Sequence, residues 1–201
     1  MTAPEAAPPR SRRRTNWLVE TIITVVLALG LYLVIQAFLV QTYRVEGHSM
    51  DDSLHDGQHL LIDKLTPRFD DYSRGDVVVL HPPDEPEDST PFIKRVIGVV
   101  GDHLELRDGT VWIDGVELNE PYLAPGSVTE PGFEDTTSWD IEEGEVFVMG
   151  DNRLDSRDSR EFGTVATEEI IGRAWLRFWP LDQFGILSTP TYPELDQAAA
   201  E

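Results

Sequence analysis

Ser49 and Lys94 are the two residues of this chain best suited to making and breaking a covalent bond. A serine hydroxyl is a weak nucleophile until a base removes its proton. Gly47-His-Ser-Met-Asp51 begins the G-x-S-x-G pattern but lacks its last glycine and precedes a β-rich region, which argues against an α/β-hydrolase elbow. His48 adjoins Ser49, yet neighbouring side chains in an extended segment point to opposite faces, so it is poorly placed as the base. His55 and His59 have i,i+4 spacing, but the intervening Asp-Gly-Gln reads as a turn and the glutamate of H-E-x-x-H is missing, so no metal site is expected there. Without a suitable histidine, lysine is the usual alternative.

Lys94 lies in the otherwise apolar run Phe92-Ile-Lys-Arg-Val-Ile97. At an ordinary pKa near 10.4, only about 0.04% of such lysines are neutral at pH 7. Burial lowers that pKa. A fall to about 8 corresponds to roughly 3 kcal/mol and leaves about a tenth of the molecules competent as base. Strand alternation places Phe92, Lys94 and Val96 on one face, where the lysine would share apolar surroundings. A snorkelling edge-strand lysine is the competing reading, and composition alone favours it.

Asp151-Asn-Arg-Leu-Asp-Ser-Arg-Asp158 is rich in acids, but an EF-hand needs an oxygen ligand at its third position and glycine at its sixth, where this chain has Arg153 and Ser156. Alternating Asp and Arg point instead to buried or half-buried ion pairs with bidentate hydrogen bonds. No cysteine is present, so disulfides and thiolate zinc sites are excluded.

The elements that must position these residues follow from pattern. Trp17 to Val40 is a long apolar run whose one charge, Glu20, lies near its start. As a helix it would be about 36 Å long, enough to cross a bilayer. Arg10, Arg12, Arg13 and Arg14 precede it, which by the positive-inside rule puts the N-terminus in the cytoplasm. The run exceeds the h-region of a cleaved signal peptide and no A-x-A-like site follows it, so a retained signal anchor is expected. Ser49 would then lie within about 30 Å of the membrane surface. The expected organisation is a disordered cytoplasmic tail (1–15), a transmembrane anchor (16–40), an extracytoplasmic domain (41–187) and a flexible tail (188–201).

The fold class expected for the extracytoplasmic part is mainly β, an antiparallel-sheet domain behind a single transmembrane helix. His103-Leu-Glu-Leu-Arg alternates, Asp108-Gly109 and Asp114-Gly115 are hairpin turns, and Val111-Trp-Ile-Asp and Val116-Glu-Leu complete a meander. Gly75–Leu80, Phe92–Ile97 and Val146–Met149 read as further strands, whereas His81–Pro91 and Ala124–Asp140 read as loops. Thr167-Glu-Glu-Ile-Ile-Gly-Arg is either a helical turn or the entry to a strand.

The whole chain of 201 residues carries a formal charge of −21, and residues 41–201 hold 12 basic against 35 acidic side chains, or −23. Such a surface repels nucleic acid, which requires a basic footprint. It keeps an exported domain soluble.

The ordered set of an apolar anchor, Arg44-Val-Glu-Gly-His-Ser-Met, Arg74-Gly-Asp-Val-Val-Val-Leu80, Phe92-Ile-Lys-Arg-Val-Ile-Gly and Gly150-Asp-Asn-Arg-Leu-Asp-Ser-Arg-Asp-Ser-Arg-Glu-Phe-Gly163 resembles the bacterial type I signal peptidases. These are membrane-anchored serine proteases that use a Ser/Lys dyad and no cofactor. The likeness runs from the anchor to about Phe184. It implies Ser49 as nucleophile, Lys94 as general base and Ser156 as the hydroxyl that orients the lysine. It further implies Arg95, Asp151, Asp158 and Arg160 as the scaffold, the Ser49 N–H and Gly47 as oxyanion donors, and pockets near Met50 and Ile93 for small side chains. The implied partners are signal-peptide-bearing pre-proteins and a lipid bilayer; the oligomeric state is left open.

One departure from that pattern stands next to the nucleophile. The family usually reads Ser-Met-x-Pro-Thr-Leu, and this chain reads Ser49-Met-Asp-Asp-Ser-Leu54. Asp52 is expected to loosen the segment and, as a carboxylate near Lys94, to raise the pKa of the lysine and slow the enzyme. On that basis Asp52→Pro should raise turnover. Two other readings remain: a self-cleaving Ser/Lys repressor, opposed by the apolar run and the acidity, and a catalytically weakened, membrane-tethered binding protein.

Overall fold

The computed structural model describes residues 13–38, 40–65, 71–86, 88–133 and 135–198. The chain divides into two compact units, 1–39 and 40–201. The first contains one long helix, α1 (Arg13–Phe38). Its described side chains, residues 17–32, are all exposed. Among the described residues no helix is long and apolar enough to cross a membrane. Residues 13–15, expected in the disordered tail, already belong to α1; residues 1–12 lie outside the described residues.

The second unit is built from antiparallel strands. The larger sheet contains β1 (Val40–Arg44), β2 (His59–Asp63), β3 (Val77–Leu80), β4 (Phe92–Gly98), β9 (Glu145–Met149), β10 (Val165–Ala166), β11 (Ile170–Trp179) and β12 (Gly185–Ile186). Its order is β1-β2-β11-β3-β4-β9-β10, with β12 also paired to β11. The smaller sheet, ordered β7-β6-β5-β8, contains β5 (His103–Arg107), β6 (Thr110–Ile113), β7 (Val116–Glu117) and β8 (Ser138–Asp140).

The smaller sheet is the expected meander. Asp108-Gly109 and Asp114-Gly115 both adopt positive φ at the two turn positions (48° and 83°, 51° and 81°), the backbone a tight antiparallel hairpin demands. β8 is a difference: it lies inside the stretch expected to be loop, and Trp139 beside Leu104 earns it a place by packing on Phe147. After the short turn Thr167–Glu169 the chain enters β11, so both alternatives for that segment occur in succession.

Three apolar clusters hold the unit together. One joins the two sheets through Ile97, Leu104, Val111, Ile113, Phe147 and Met149. A second gathers Met50, Leu54, Leu60, Ile62, Val77 and Ile93. The third contains Val78, Leu80, Val96, Val146, Val148 and Val165. β4 feeds all three, because it lies between β3 and β9 and is covered on both faces. A charged residue on β4 is therefore removed from water whichever way it points.

The segment after residue 187, expected to fray, is instead docked as far as it is described. Thr189 Oγ1 donates to Asp76 at 2.8 Å, Tyr192 is buried in the cluster between the sheets, and a short helix, α3 (Pro193–Ala198), follows. As far as it is described, the tail is held by the aromatic ring of Tyr192 and by two polar anchors that its composition hides, Thr189 on Asp76 and Glu194 Oε1, which accepts from the Asn119 N–H at 3.0 Å.

Candidate active site

Ser49 lies in a run of turns between β1 and β2. The Asp51 N–H donates to the His48 carbonyl, and the Ser53 and Leu54 N–H groups donate to the Met50 carbonyl. Buried Met50 and Leu54 fix the underside of this run in the second apolar cluster. The loop after β9 holds its flank: the Asn152 N–H donates to the Ser49 carbonyl at 3.0 Å, and Asn152 Nδ2 donates to the His48 carbonyl at 3.0 Å.

Lys94 reaches this turn from the middle of β4. Its Nζ donates to Ser49 Oγ at 2.7 Å and lies 4.9 Å from the centre of the Phe92 ring. Only 3% of the lysine is exposed. Burial drives its pKa down from 10.5 to about 8, opposed by the charges of Asp158 and Asp151 and assisted by Arg160. The face-sharing expected from alternation is present, since Phe92 and Val96 both pack in the third cluster. His48 is engaged elsewhere, with Nδ1 2.8 Å from Asp51 Oδ2.

The acid-rich loop forms a buried polar scaffold. Asp151, fully buried, takes Arg95 Nε at 2.8 Å and Nη2 at 2.6 Å, and also accepts from Ser53 Oγ. Arg95 Nη1 continues to the Gly75 carbonyl at 2.8 Å, and its guanidinium stacks 4.0 Å above the Tyr122 ring. Asp158 caps the short helix α2 (Ser159–Phe162), accepting from Arg160 Nε at 2.8 Å and Nη2 at 2.9 Å and from the Gly150 N–H at 2.9 Å. The acids that could hold Lys94 charged are thus already committed to arginines. Gly150 is required by space: a Cβ there would overlap Ser156 Oγ and the Ser49 carbonyl oxygen.

Three expectations need correction. Ser156 Oγ is buried near Gly150, but it has no hydrogen-bond partner among the described residues, so it does not bond Lys94. The Gly47 N–H donates to Asp56 Oδ1 at 3.2 Å and is not a free oxyanion donor. Asp52 does not face the lysine: its carboxylate accepts from the Ala124 N–H at 2.8 Å and Ser127 Oγ at 3.3 Å. The charges acting on Lys94 come from Asp158, Asp151 and Arg160. Met50 and Ile93 are buried together in the second cluster, and Ile93 also lines an open cleft of about 410 Å³ with Thr42–Arg44, Glu46 and residues 88–91.

Sequence reasoning missed Asn152, Ser53 and Arg153 as supports. Arg153 donates to the Gly150 carbonyl at 3.1 Å, to Glu120 at 2.9 Å and to Thr129 at 2.6 Å. The alternating Asp and Arg announced ion pairs but not their partners, because Arg95, Glu120 and Thr129 lie dozens of residues away. Among the described residues no group of three or more His, Cys, Asp or Glu has the geometry to hold a metal ion.

Known proteins are similar to this chain over most of its length. The family profile described as "Signal peptidase, peptidase S26" matches residues 18–179. The chain is 34% identical to signal peptidase I of Bacillus licheniformis, over 87% of this chain and 95% of that protein. It is 33% identical to signal peptidase I T of Bacillus subtilis (strain 168), over 86% of this chain and 91% of that protein. It is 31% identical to signal peptidase IB of Staphylococcus aureus, over 83% and 92% respectively. A crystal structure of a signal peptidase I from Enterococcus faecalis V583 aligns at 29% identity with a TM-score of 0.42, covering 52% of this chain and 97% of that one.

Proposed function

The chain belongs to the signal peptidase family, peptidase S26, and from that premise we propose that it is a serine endopeptidase that removes signal peptides from pre-proteins through Ser49 and Lys94. The observation that carries this reading is the 2.7 Å bond from a buried lysine with a pKa of about 8 to a serine hydroxyl. At pH 7 about a tenth of such lysines are neutral. In that fraction the bond reverses: Ser49 Oγ–H donates to Nζ, and the proton moves to the lysine as Oγ attacks the scissile carbonyl. The ammonium then returns the proton to the leaving amine. The same lysine takes a proton from water to hydrolyse the acyl-enzyme.

The tetrahedral oxyanion needs backbone donors. Among the described residues the Ser49 N–H makes no hydrogen bond, which leaves it available for this role, while the Gly47 N–H is held by Asp56. Ser156 acts as a buried hydroxyl beside the nucleophile turn. Arg95, Asp151, Asp158 and Arg160 hold the scaffold.

β1 is an edge strand of the larger sheet and lines the cleft, so an extended substrate can add alongside it by main-chain bonding. Alternate residues of such a substrate face the same way. The first and third residues before the cut then both point toward the wall formed near Met50 and Ile93, which admits small side chains. We assign α1 as the signal anchor, with the N-terminus cytoplasmic and residues 41–201 outside; the exposed apolar side chains along residues 17–32 support this. The fold of the second unit and the intact dyad favour an enzyme over a binding protein.

The test is cleavage of a model pre-protein by the full chain in detergent. Wild type should cleave. Ser49→Ala and Lys94→Ala should not, while keeping the wild-type circular dichroism spectrum. Cleavage by both variants would exclude the dyad; a folded wild type that never cleaves would favour the binding protein.

A further inference from the structure

Resting on the reading of Ser49 as nucleophile, we propose that Asp52 is a positioning residue. Its carboxylate ties the turn that carries Ser49 to the loop of residues 123–127. The Ser49–Leu54 turns are held firmly on one side. Asn152 takes the Ser49 and His48 carbonyls, and Asp151 takes the Ser53 hydroxyl. On the other side Asp52 makes the links, to the Ala124 N–H at 2.8 Å and Ser127 Oγ at 3.3 Å, across more than 70 residues of sequence.

The stretch that Asp52 grips is also held from the catalytic loop. Arg153, buried, bonds Glu120 and Thr129 at the two ends of that stretch and returns to the Gly150 carbonyl. Residues 120–129 are thus clamped twice, once by the segment that carries the nucleophile and once by the loop that carries Asp151 and Asp158. Through this shared stretch the two catalytic segments are held in register. The Asp52 clamp can be cut alone, because Asp52 is exposed and lies in neither the dyad nor the buried ion pairs.

This role differs from an electrostatic one. Burial chiefly lowers the pKa of the lysine, and the charges acting on it are those of Asp158, Asp151 and Arg160. Removing Asp52 should therefore lower the fraction of well-placed Ser49 without moving the pH at which Lys94 titrates.

The experiment compares wild type, Asp52→Ala, Asp52→Asn and Ser49→Ala as full chains in detergent on one model pre-protein, with kcat, KM and the pH profile measured for each. Asp52→Ala should lose about five- to tenfold in kcat, the worth of one or two hydrogen bonds, with KM within about twofold. The basic limb of its pH profile should stay where the wild type has it. Asp52→Asn keeps an acceptor oxygen and should restore most of the rate. Wild-type kcat in Asp52→Ala overturns the proposal, as does a shifted pH limb or an asparagine variant as slow as the alanine one. If wild type cleaves and Ser49→Ala does not, those outcomes count against Asp52 alone; if Ser49→Ala cleaves, the reading beneath it fails instead.

Discussion

Lys94 and Arg95 are successive residues of β4, equally buried at 3% and 4% exposure, and they meet opposite fates. Burial weakens the charge on Lys94, whose nearest polar partner is a neutral hydroxyl, and its pKa falls to about 8. Burial also opposes the charge on Arg95, but the hydrogen bond and charge of Asp151 outweigh it and its pKa rises. The two faces of one strand thus separate reactivity from support. What differs between them is the partner, not the depth. A buried cation with a bidentate carboxylate is held charged as a strut, while one facing a hydroxyl can shed its proton and is suited to the base role proposed for Lys94.

Several measurements can break or sharpen this contrast. Lys94→Arg keeps a positive charge that cannot be shed, and kcat should fall by about 10³-fold or more in the pre-protein assay. Retained turnover would show that the proton goes elsewhere. Asp151→Ala leaves the Arg95 guanidinium buried and unpaired, and chemical denaturation should show a loss of about 3–5 kcal/mol. A loss below about 1 kcal/mol would mean that Arg95 escapes to water.

Lys94→Met should do the reverse of Asp151→Ala. The folded pKa of about 8 lies below the unfolded 10.5, so the unfolded chain binds more protons between those values and stability rises with pH there. Below pH 8 the full penalty, roughly 3 kcal/mol, is present; above 10.5 it is gone. The methionine variant should therefore be more stable than wild type at pH 7, with the gain shrinking from pH 8 to 10.5. A gain independent of pH would refute the assignment. In the wild type, kcat/KM should climb up to about tenfold between pH 7 and a plateau above about pH 9, as neutral lysine accumulates. A rate flat over that range would mean the lysine is already neutral at pH 7. The smallest effect concerns the docked tail: Thr189→Val should cost about 1 kcal/mol by calorimetry and leave kcat unchanged.

The sequence made much of this legible where the signal is local. The Asp-Gly turns and alternating runs marked the meander of β5 to β7, since two-residue hairpins and side-chain alternation need nothing beyond neighbours. Ser49 and Lys94 were legible as candidates through their flanking motifs, and the structure brings them within 2.7 Å of each other. β8 and the tail anchors were not, because Trp139 and Tyr192 are isolated apolar residues in polar stretches, and only the cluster between the sheets explains their burial. Asp52 shows the limit most clearly. Its position three residues past Ser49 predicted a charge acting on Lys94, whereas its side chain turns to a loop more than 70 residues away.

By itself the sequence determined which groups could react and where the locally patterned strands β3 to β7 and β9 would form, because residue type sets intrinsic chemistry and spacing sets local geometry. Only the tertiary structure decided that the lysine of β4 would meet a hydroxyl and the adjacent arginine a carboxylate. That choice depends on which loops pack on each face of one strand, and burial strengthens every consequence of it.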